Sequence, residues 1–548
     1  MSQSNLNIKQ VTCEPFQDQK AGTAGLRKKV TVFQKPHYIE SFIQAIFDTL
    51  RFDKGEKLVI GGDGRFFNDI AIQKIVSCAV ANKISHIYIG KDGLLSTPAA
   101  SNLIRCTRSK AGIILTASHN PGGANGDFGI KLNIAPGAQA NEKLINQIYE
   151  RSKKITSYRI AEIPNIQLDK IGIKNFGDVR LEIIDPIDEY IELMDQFFDF
   201  ELIQSHLKKK VKFHFDAFHA VTGPYAKKIF CDLLGVPQEC IVNAISKEDF
   251  GGMHPDPNPN NAKYIYNLAM SKSSPDLLAA SDGDGDRNMI LGPGMMVSPG
   301  DSLAIMLANS VIIPGYRKGI DGVARSMPTS RAVDSVASSL GIPCYETPTG
   351  WRFFCNLLEK GHIGLCGEES FGTSSLHALE KDGLWAILFW LNMLAGLEQS
   401  LPEIVHQHWR RFGRCYYQRH DYQISDMNQA SDLIKYLRQS INSLPGKSHF
   451  GSKIIDANEF NYTDPVDGSI SENQGIRVFY ENGGRIVFRL SGTGTSGATL
   501  RMYLDKPESE ITRQHLNPND VLSELANAGA ELSRINHFTG LKNPVSII

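Results

Sequence analysis

No excess of either charge, no membrane-length apolar run and no paired cysteine motif appears in this sequence. Its 548 residues carry 58 Lys and Arg against 59 Asp and Glu, a formal net charge of −1. Proteins that coat nucleic acid usually keep a basic surplus, so no nucleic-acid partner is expected; a local basic patch remains compatible with the balance. The longest uncharged stretches are residues 302–316 and 383–397. Both fall short of the ~20 apolar residues that span a bilayer, so no membrane span is expected, and 383–397 reads as a buried helix. Residues 1–20 hold no apolar core behind basic residues, so no signal peptide is expected. The nine cysteines are scattered from Cys13 to Cys415, odd in number and without a C-x-x-C pair. That favours reduced, mostly buried thiols in a cytoplasmic protein over a disulfide framework or a zinc site. A Walker A loop, a G-x-S-x-G elbow, a short-period repeat and a low-complexity linker are also missing. Their absence disfavours P-loop NTPases, α/β-hydrolases and solenoids.

What is present is the composition of a folded chain, 42% hydrophobic and 21% charged. Its length corresponds to about three to five domains at ~100–200 residues each. Short apolar runs end abruptly in Gly-rich polar loops. Residues 57–60 lead into Gly61-Gly-Asp-Gly-Arg65, 112–115 into Thr116-Ala-Ser-His-Asn-Pro121, 277–280 into Ser281-Asp-Gly-Asp-Gly-Asp286, and 363–366 into Gly367-Glu-Glu-Ser370. Helical patterns such as 38–50 and 69–81 lie between them. The alternation predicts α/β units with mainly parallel sheets. Ligands collect beyond the C-terminal ends of such strands, where these loops stand. From about Arg411 onward, strand-like runs at 415–422, 476–480, 486–490 and 499–504 precede a helix near 521–536, which predicts a smaller α+β domain.

Four loops carry chemistry. In Asp282-Gly-Asp284-Gly-Asp286-Arg287, three carboxylates at alternate positions converge and repel unless a cation neutralises them. Hard oxygen donors suit Mg²⁺, Mn²⁺ or Ca²⁺. An EF-hand is excluded because Arg287 and Pro293 occupy its obligatory Gly and Glu positions. The alternative is a solvated acidic turn. In Thr116-Ala-Ser118-His119-Asn120-Pro121, Ser118 is a candidate nucleophile, although an ordinary Ser turn would read alike. Lys131, ending Gly126-Asp-Phe-Gly-Ile-Lys131, supplies a cation that could face the same site. Arg489-Leu-Ser491-Gly-Thr493-Gly-Thr-Ser-Gly497-Ala-Thr-Leu-Arg501 contains G-x-G-x-x-G, but a strand pattern follows it, which excludes a dinucleotide site. Its hydroxyls and arginines suit a phosphate monoester, against a plain flexible hairpin. Gly367-Glu368-Glu369-Ser370, followed by His377, Glu380 and Lys381, suits sugar hydroxyls or is a polar helix-entry loop. Thr349 and the basic loop Gly22-Thr-Ala-Gly25-Leu-Arg27 are equally ambiguous alone.

Together, and in this order from Gly22 to Arg501, these segments resemble the α-D-phosphohexomutases, on their phosphoglucomutase branch. The resemblance implies three related α/β mixed-sheet domains plus a smaller C-terminal α+β domain around a central cleft. The divisions expected are 1–182, 183–297, 298–409 and 410–548, one loop from each. It implies interconversion of glucose 1-phosphate and glucose 6-phosphate through a phosphoserine and a glucose 1,6-bisphosphate intermediate. Ser118 would carry the phosphoryl group, and Asp282, Asp284 and Asp286 would hold Mg²⁺ with a Ser118 phosphate oxygen. Glu368 and Ser370 would read sugar hydroxyls. Arg489, Ser491, Thr493 and Arg501 would bind the non-reacting phosphate, and Arg27, Arg287, Thr349 and Lys381 would line the cleft. His119, Lys131 and Lys381 are candidates for acid/base work. The expected partners are small sugar phosphates. Alternatives are a mutase for another phosphohexose, or a low-activity relative associated with adhesion or membrane fusion. Ala24, Leu376 and Leu379 stand where the family usually has polar residues.

Overall fold

Apolar runs that alternate with helices fold here into three sheets on one plan. The computed structural model describes residues 6–22, 24–209, 211–492 and 497–548. The first sheet runs in the order Leu26–Lys29, Asp127–Ile134, Ala111–Leu115, Lys57–Gly62, His86–Leu94, Val179–Ile184, Gly172–Phe176. The second is Ile241–Val242, Phe213–Asp216, Leu277–Ser281, Asn288–Gly292, Met295–Val297. The third is Cys344–Thr347, Val323–Ser326, Leu365–Glu368, Gly372–Ser375. Each contains a parallel run, as alternation predicts. Each run then turns antiparallel, at one end in the second and third sheets and at both ends in the first, so the sheets are mixed, as the resemblance implies, rather than mainly parallel. Ala111–Leu115 pairs antiparallel with Asp127–Ile134, Leu277–Ser281 with Asn288–Gly292, and Leu365–Glu368 with Gly372–Ser375. The segments joining them, 116–126, 282–287 and 369–371, are too short for the dozen or more residues of a parallel crossover, so the chain must fold straight back. These three hairpin loops are the serine, aspartate and Glu368 loops.

The last sheet is wholly antiparallel, in the order Ser448–His449, Ser452–Glu459, Ile476–Tyr480, Arg485–Gly492, Ala498–Glu508, Arg414–Ile424, Ser546–Ile547. Strand side chains alternate between faces. Ile486, Phe488, Leu500, Met502, Leu504 and Tyr422 therefore share one face and pack with Leu433, Leu522 and Leu525 from the helices Met427–Ser440 and Pro518–Ser533. The other face carries Arg489, Arg501, Tyr503, Arg419 and Asp421, in register across three strands.

The second and third units share one apolar core with part of the first, whose remaining apolar residues form a core of their own. The helix Gly383–Leu397, buried from Gly383 to Ala395, belongs to the same core as Val59 and Leu103 of the first unit, Phe215 and Ile290 of the second, and Leu303 and Val323 of the third. It is the uncharged stretch noted in the sequence. Among the described residues no single helix is long and apolar enough to cross a membrane. The last unit has a main core of its own and joins the third through a small apolar cluster, Met327 and Phe353 with Phe460, Tyr462, Val487 and Tyr503, and through buried charges. Asp505, 1% exposed, accepts from Arg485 Nε at 2.8 Å and from Arg331 Nε at 2.9 Å. Glu346 accepts from Arg325 at 2.8 Å and from Arg477 at 2.6 Å. The division expected after residue 297 coincides with the end of Met295–Val297. Those after 182 and 409 fall inside Val179–Ile184 and Leu401–Phe412.

Candidate active site

The serine loop is braced from behind. Ser118 follows the buried strand Ala111–Leu115 with φ 53°, in the left-handed region, and is 2% exposed. Its N–H donates to Thr116 Oγ1 at 2.7 Å, and that hydroxyl donates to Asp63 at 2.5 Å. Arg65, fully buried against Asp63 at 2.8 Å, donates to the Ser118 carbonyl at 2.7 Å and to the Asp127 carbonyl at 2.8 Å. Asp63 and Arg65 were not singled out by sequence. Their only signal was the loop Gly61-Gly-Asp-Gly-Arg65 after a buried strand. The twist at Ser118 brings its Oγ 3.3 Å from Nδ1 of His119, a pairing that adjacency in sequence does not promise.

Ser118 Oγ also donates to Asp282 Oδ2 at 3.0 Å, across 164 positions of sequence. Asp282, Asp284 and Asp286 are buried, with one oxygen of each within 4.8 Å of the others. The intervening glycines are required by space. A Cβ on Gly283 would lie 2.4 Å from the Ser118 carbonyl oxygen, and Gly285 has φ +80°. Asp282 Oδ1 accepts the N–H groups of Asp286 and Arg287 at 2.9 and 3.0 Å, and Asp284 accepts the Thr97 hydroxyl at 2.7 Å. Burial, reinforced by Asp286 and Asp284, pushes the Asp282 carboxyl well above the usual range. Burial presses Asp284 the same way, but Lys131, the Thr97 hydroxyl and Lys381 hold it below that range. Asp284 Oδ1 and Asp286 Oδ1 are buried without a hydrogen-bond partner among the described residues. Unpartnered hard oxygens on a crowded triad fit a small divalent cation.

Cations surround the triad. Lys381 Nζ lies 3.1 Å from Asp286, and Arg287 pairs with Asp256 at 2.8 Å. Lys131 pairs with the buried Glu380 at 2.8 Å. Arg27 lies in the strand beside Lys131; burial lowers its guanidinium while Asp284 opposes that fall. Burial, then Arg287, Arg27, Lys381 and His254, push the His119 imidazole well below its ordinary value, which keeps it neutral. Burial works against the Lys381 ammonium, but Asp286 and Glu368 outweigh it and keep it charged.

Glu368 accepts the Gly350 N–H at 3.1 Å and the Ser370 hydroxyl at 3.2 Å. Burial raises its carboxyl, with Lys381 opposing. Thr349, beside Gly350, has a buried hydroxyl with no partner among the described residues. The third and fourth units meet where Tyr503 OH donates to Glu369 at 3.3 Å and accepts from Arg489 at 3.4 Å. Arg489 and Arg501 face each other across their hairpin, and Ser491 pairs with Thr499 beyond them. Thr493 lies outside the described residues. Tyr503, Arg419 and Asp421 join this arginine face; only the period-two register of three strands, which a single sequence does not display, would have found them.

Four family profiles match in chain order. Three are described as Phosphoglucomutase/phosphomannomutase, alpha/beta/alpha domains I, II and III, over residues 18–159, 188–294 and 299–412. The fourth is the C-terminal domain of Phosphoglucomutase-1, over 414–545. A phosphoglucomutase of Rhizobium radiobacter is 50% identical over 540 residues, covering 98% of this chain and 100% of its own. A cytoplasmic phosphoglucomutase of Pisum sativum is 46% identical, with 98% and 99% covered. The crystal structure of the Paramecium exocytosis-sensitive phosphoprotein pp63/parafusin, also described as a phosphoglucomutase and in an open form, matches with a TM-score of 0.92 at 43% identity, over 99% of each chain.

Proposed function

The chain belongs to the phosphoglucomutase branch of the α-D-phosphohexomutases and is an enzyme interconverting glucose 1-phosphate and glucose 6-phosphate; on that premise we propose how its own residues divide the work. Ser118 carries the phosphoryl group between turnovers. Its Oγ–P bond breaks as a sugar hydroxyl oxygen bonds to the same phosphorus, giving glucose 1,6-bisphosphate. The bisphosphate turns end for end, and its other phosphate returns to Ser118. Phosphoryl transfer of this kind depends on positioning and charge neutralisation more than on covalent intermediates.

Asp282, Asp284 and Asp286 would hold Mg²⁺ beside the Ser118 phosphate. When bound, the ion neutralises the carboxylates and the transferring group. A phosphoserine adds about −1.5 to −2 of charge beside three carboxylates, which the cations of the site must balance. Arg27, Arg287 and Lys381 supply that balance from the protein. Arg65 and Asp63 hold the loop so that the Ser118 oxygen does not wander during transfer. Glu368 and Ser370 take sugar hydroxyls, with Thr349 beside them. Arg489, Ser491, Thr493 and Arg501 hold the phosphate that is not reacting, and paired arginines accept either end of the bisphosphate. The fourth unit, whose main core is distinct from those of the other three, closes over the sugar and excludes water.

His119, Lys131 and Lys381 are the groups for moving the sugar hydroxyl proton. A neutral imidazole 3.3 Å from Ser118 Oγ suits acceptance, whereas Lys381, charged against Asp286, suits donation or charge stabilisation. The four-unit division near residues 182, 297 and 409, and a cytoplasmic location, complete the proposal. The location rests on nine unbridged cysteines and the cytoplasmic pea relative.

The observation that carries the reading is Ser118 Oγ 3.0 Å from a carboxylate triad already braced by a lysine. The test is a coupled assay with glucose 1-phosphate, Mg²⁺ and catalytic bisphosphate, run beside intact-protein mass spectrometry. Parent enzyme should turn over and carry a fraction one phosphate heavier at Ser118. Undiminished turnover by Ser118→Ala would sink the assignment.

A further inference from the structure

Three consecutive residues, Glu380, Lys381 and Asp382, reach into different parts of the molecule. Glu380 turns to the first unit. Its Oε1 takes Lys131 at 2.8 Å and Asn133 at 2.9 Å, and its Oε2 takes Gln139 at 2.9 Å. Lys381 turns to the second unit and meets Asp286 at 3.1 Å. Its stem is confined, since a Cβ on Gly372 would lie 2.2 Å from Lys381 Cδ. Asp382 is fully buried and ends a chain of hydrogen bonds. It accepts the Tyr190 hydroxyl of the second unit at 2.7 Å, His377 Nε2 at 3.0 Å, and the Trp385 N–H at 3.0 Å.

His377 is 1% exposed and lies flat on Trp385, with ring centroids 4.7 Å apart and planes 14° from parallel. Its Nδ1 lies 3.1 Å from Ser375 Oγ, which is bonded in turn to Tyr316 OH. A single direction satisfies the whole chain. Tyr316 donates to Ser375, Ser375 donates to Nδ1, and Nε2–H donates to Asp382. The neutral ring that this requires agrees with burial, which lowers His377 against the opposing pull of Asp382. Ser, His and Asp thus stand in relay order, but Ser375 is fully buried and reaches no cleft. The chain ends on the residue next to Lys381.

We propose that His377 and Tyr190 are positioning residues which, through Asp382, set Lys381 on Asp286 and Glu380 on Lys131. The proposal rests on the reading above that Lys381 and Lys131 serve the reaction. A buried network in which each hydroxyl and ring N–H finds an acceptor has one low-energy arrangement. Removing a donor lets the Asp382 carboxylate rotate toward another partner, and its neighbours move with the backbone. Displacements of about 1 Å at a transferring group cost on the order of a hundredfold in rate, and a partial loss of one bond in three correspondingly less. The arrangement also exists only when the first three units are docked, because Tyr190, His377 and Lys131 come from different ones.

Tyr190→Phe removes the hydroxyl and keeps the ring packed against Tyr225, whose centroid is 5.6 Å away. With saturating Mg²⁺ and bisphosphate, kcat should fall about tenfold while KM for glucose 1-phosphate changes less than twofold. In a Lys381→Arg background the same substitution should cost less than the tenfold it costs in the parent, because the Lys381 branch is already broken and only the Glu380–Lys131 branch remains. An unchanged kcat, even with a lowered unfolding midpoint, would overturn the proposal, as would the same tenfold loss in both backgrounds. Should Tyr190→Phe fail to fold, His377 gives an independent comparison. His377→Gln keeps a donor toward Asp382 and should retain most of the rate, whereas His377→Phe keeps the stacking and should lose about tenfold; equal losses would refute the relay. Wild-type rate in Lys381→Arg alone would instead remove the role of Lys381 on which the proposal rests.

Discussion

Gly283→Ala isolates the closeness of the aspartate and serine loops. The Gly283 backbone is in an ordinary region, so an alanine adds no torsional strain there. Its Cβ, however, would sit 2.4 Å from the Ser118 carbonyl oxygen. A carbon and a carbonyl oxygen rest at about 3.3 Å or more, so the two loops must separate by about 1 Å. The serine carbonyl is held by Arg65 at 2.7 Å, and the strain falls on Ser118 or on the Asp282–Asp286 turn. Either way Ser118 Oγ leaves its position 3.0 Å from Asp282. A 1 Å error costs about 10²-fold in rate, or about 2.7 kcal/mol of activation free energy. Stability changes less. Overpacking costs about 1–3 kcal/mol, and the lost flexibility of the unfolded glycine returns about 0.4–1 kcal/mol. The assay is kcat with glucose 1-phosphate, bisphosphate and saturating Mg²⁺, beside calorimetric Mg²⁺ affinity. The expectation is a folded enzyme about a hundredfold slower, with weakened metal binding. A kcat within threefold of the parent, with unaltered Mg²⁺ affinity, would show that the loops are not held at this distance.

Two further outcomes follow from the charges. Because the Asp282 carboxyl is raised in the metal-free fold, the folded state holds a proton that the unfolded chain has released between the ordinary and the raised value. Metal-free stability therefore falls as pH rises through that window, and Mg²⁺, which displaces the proton, binds better as it rises. The rise in unfolding midpoint on adding Mg²⁺ should be larger at pH 7.5 than at pH 5, and an equal rise at both would contradict the assignment. Asp505→Asn removes the only carboxylate among the described residues that takes both Arg331 and Arg485. Breaking a buried pair from one side costs about 3–5 kcal/mol. Urea unfolding followed in the last unit should shift accordingly, and a change below about 1 kcal/mol would mean that solvent already reaches the pair.

The strands and helices were legible because their periods are strong. The helix Tyr38–Leu50 and the strand Ile476–Tyr480 have the limits read from the sequence, and the strand after the Gly-rich arginine loop excludes a dinucleotide fold as expected. The hairpin turn in each mixed sheet was not read, although its cause, a loop too short for a crossover, is local. The chemistry-bearing loops were legible because they pack unusual residues at tight spacings. Asp63, Arg65 and Tyr503 were not, because an isolated Asp, Arg or Tyr looks ordinary until its partner is known.

The sequence by itself determined which residues of each loop bear reactive groups, the oxygen-rich donor set of the metal turn, and the resemblance that orders them. Those are properties of neighbours along the chain. Tertiary structure alone decided that Asp63 and Arg65 brace Ser118, that Glu380, Lys381 and Asp382 tie three units together, and that one core runs through parts of the first three units while the fourth has a main core of its own. These depend on contacts between residues far apart in sequence, selected by packing around the helix Gly383–Leu397. The net charge of −1 showed nothing of this, because a sum over the chain cannot record that the cations of the cleft come from all four units while the carboxylates of the triad come from one.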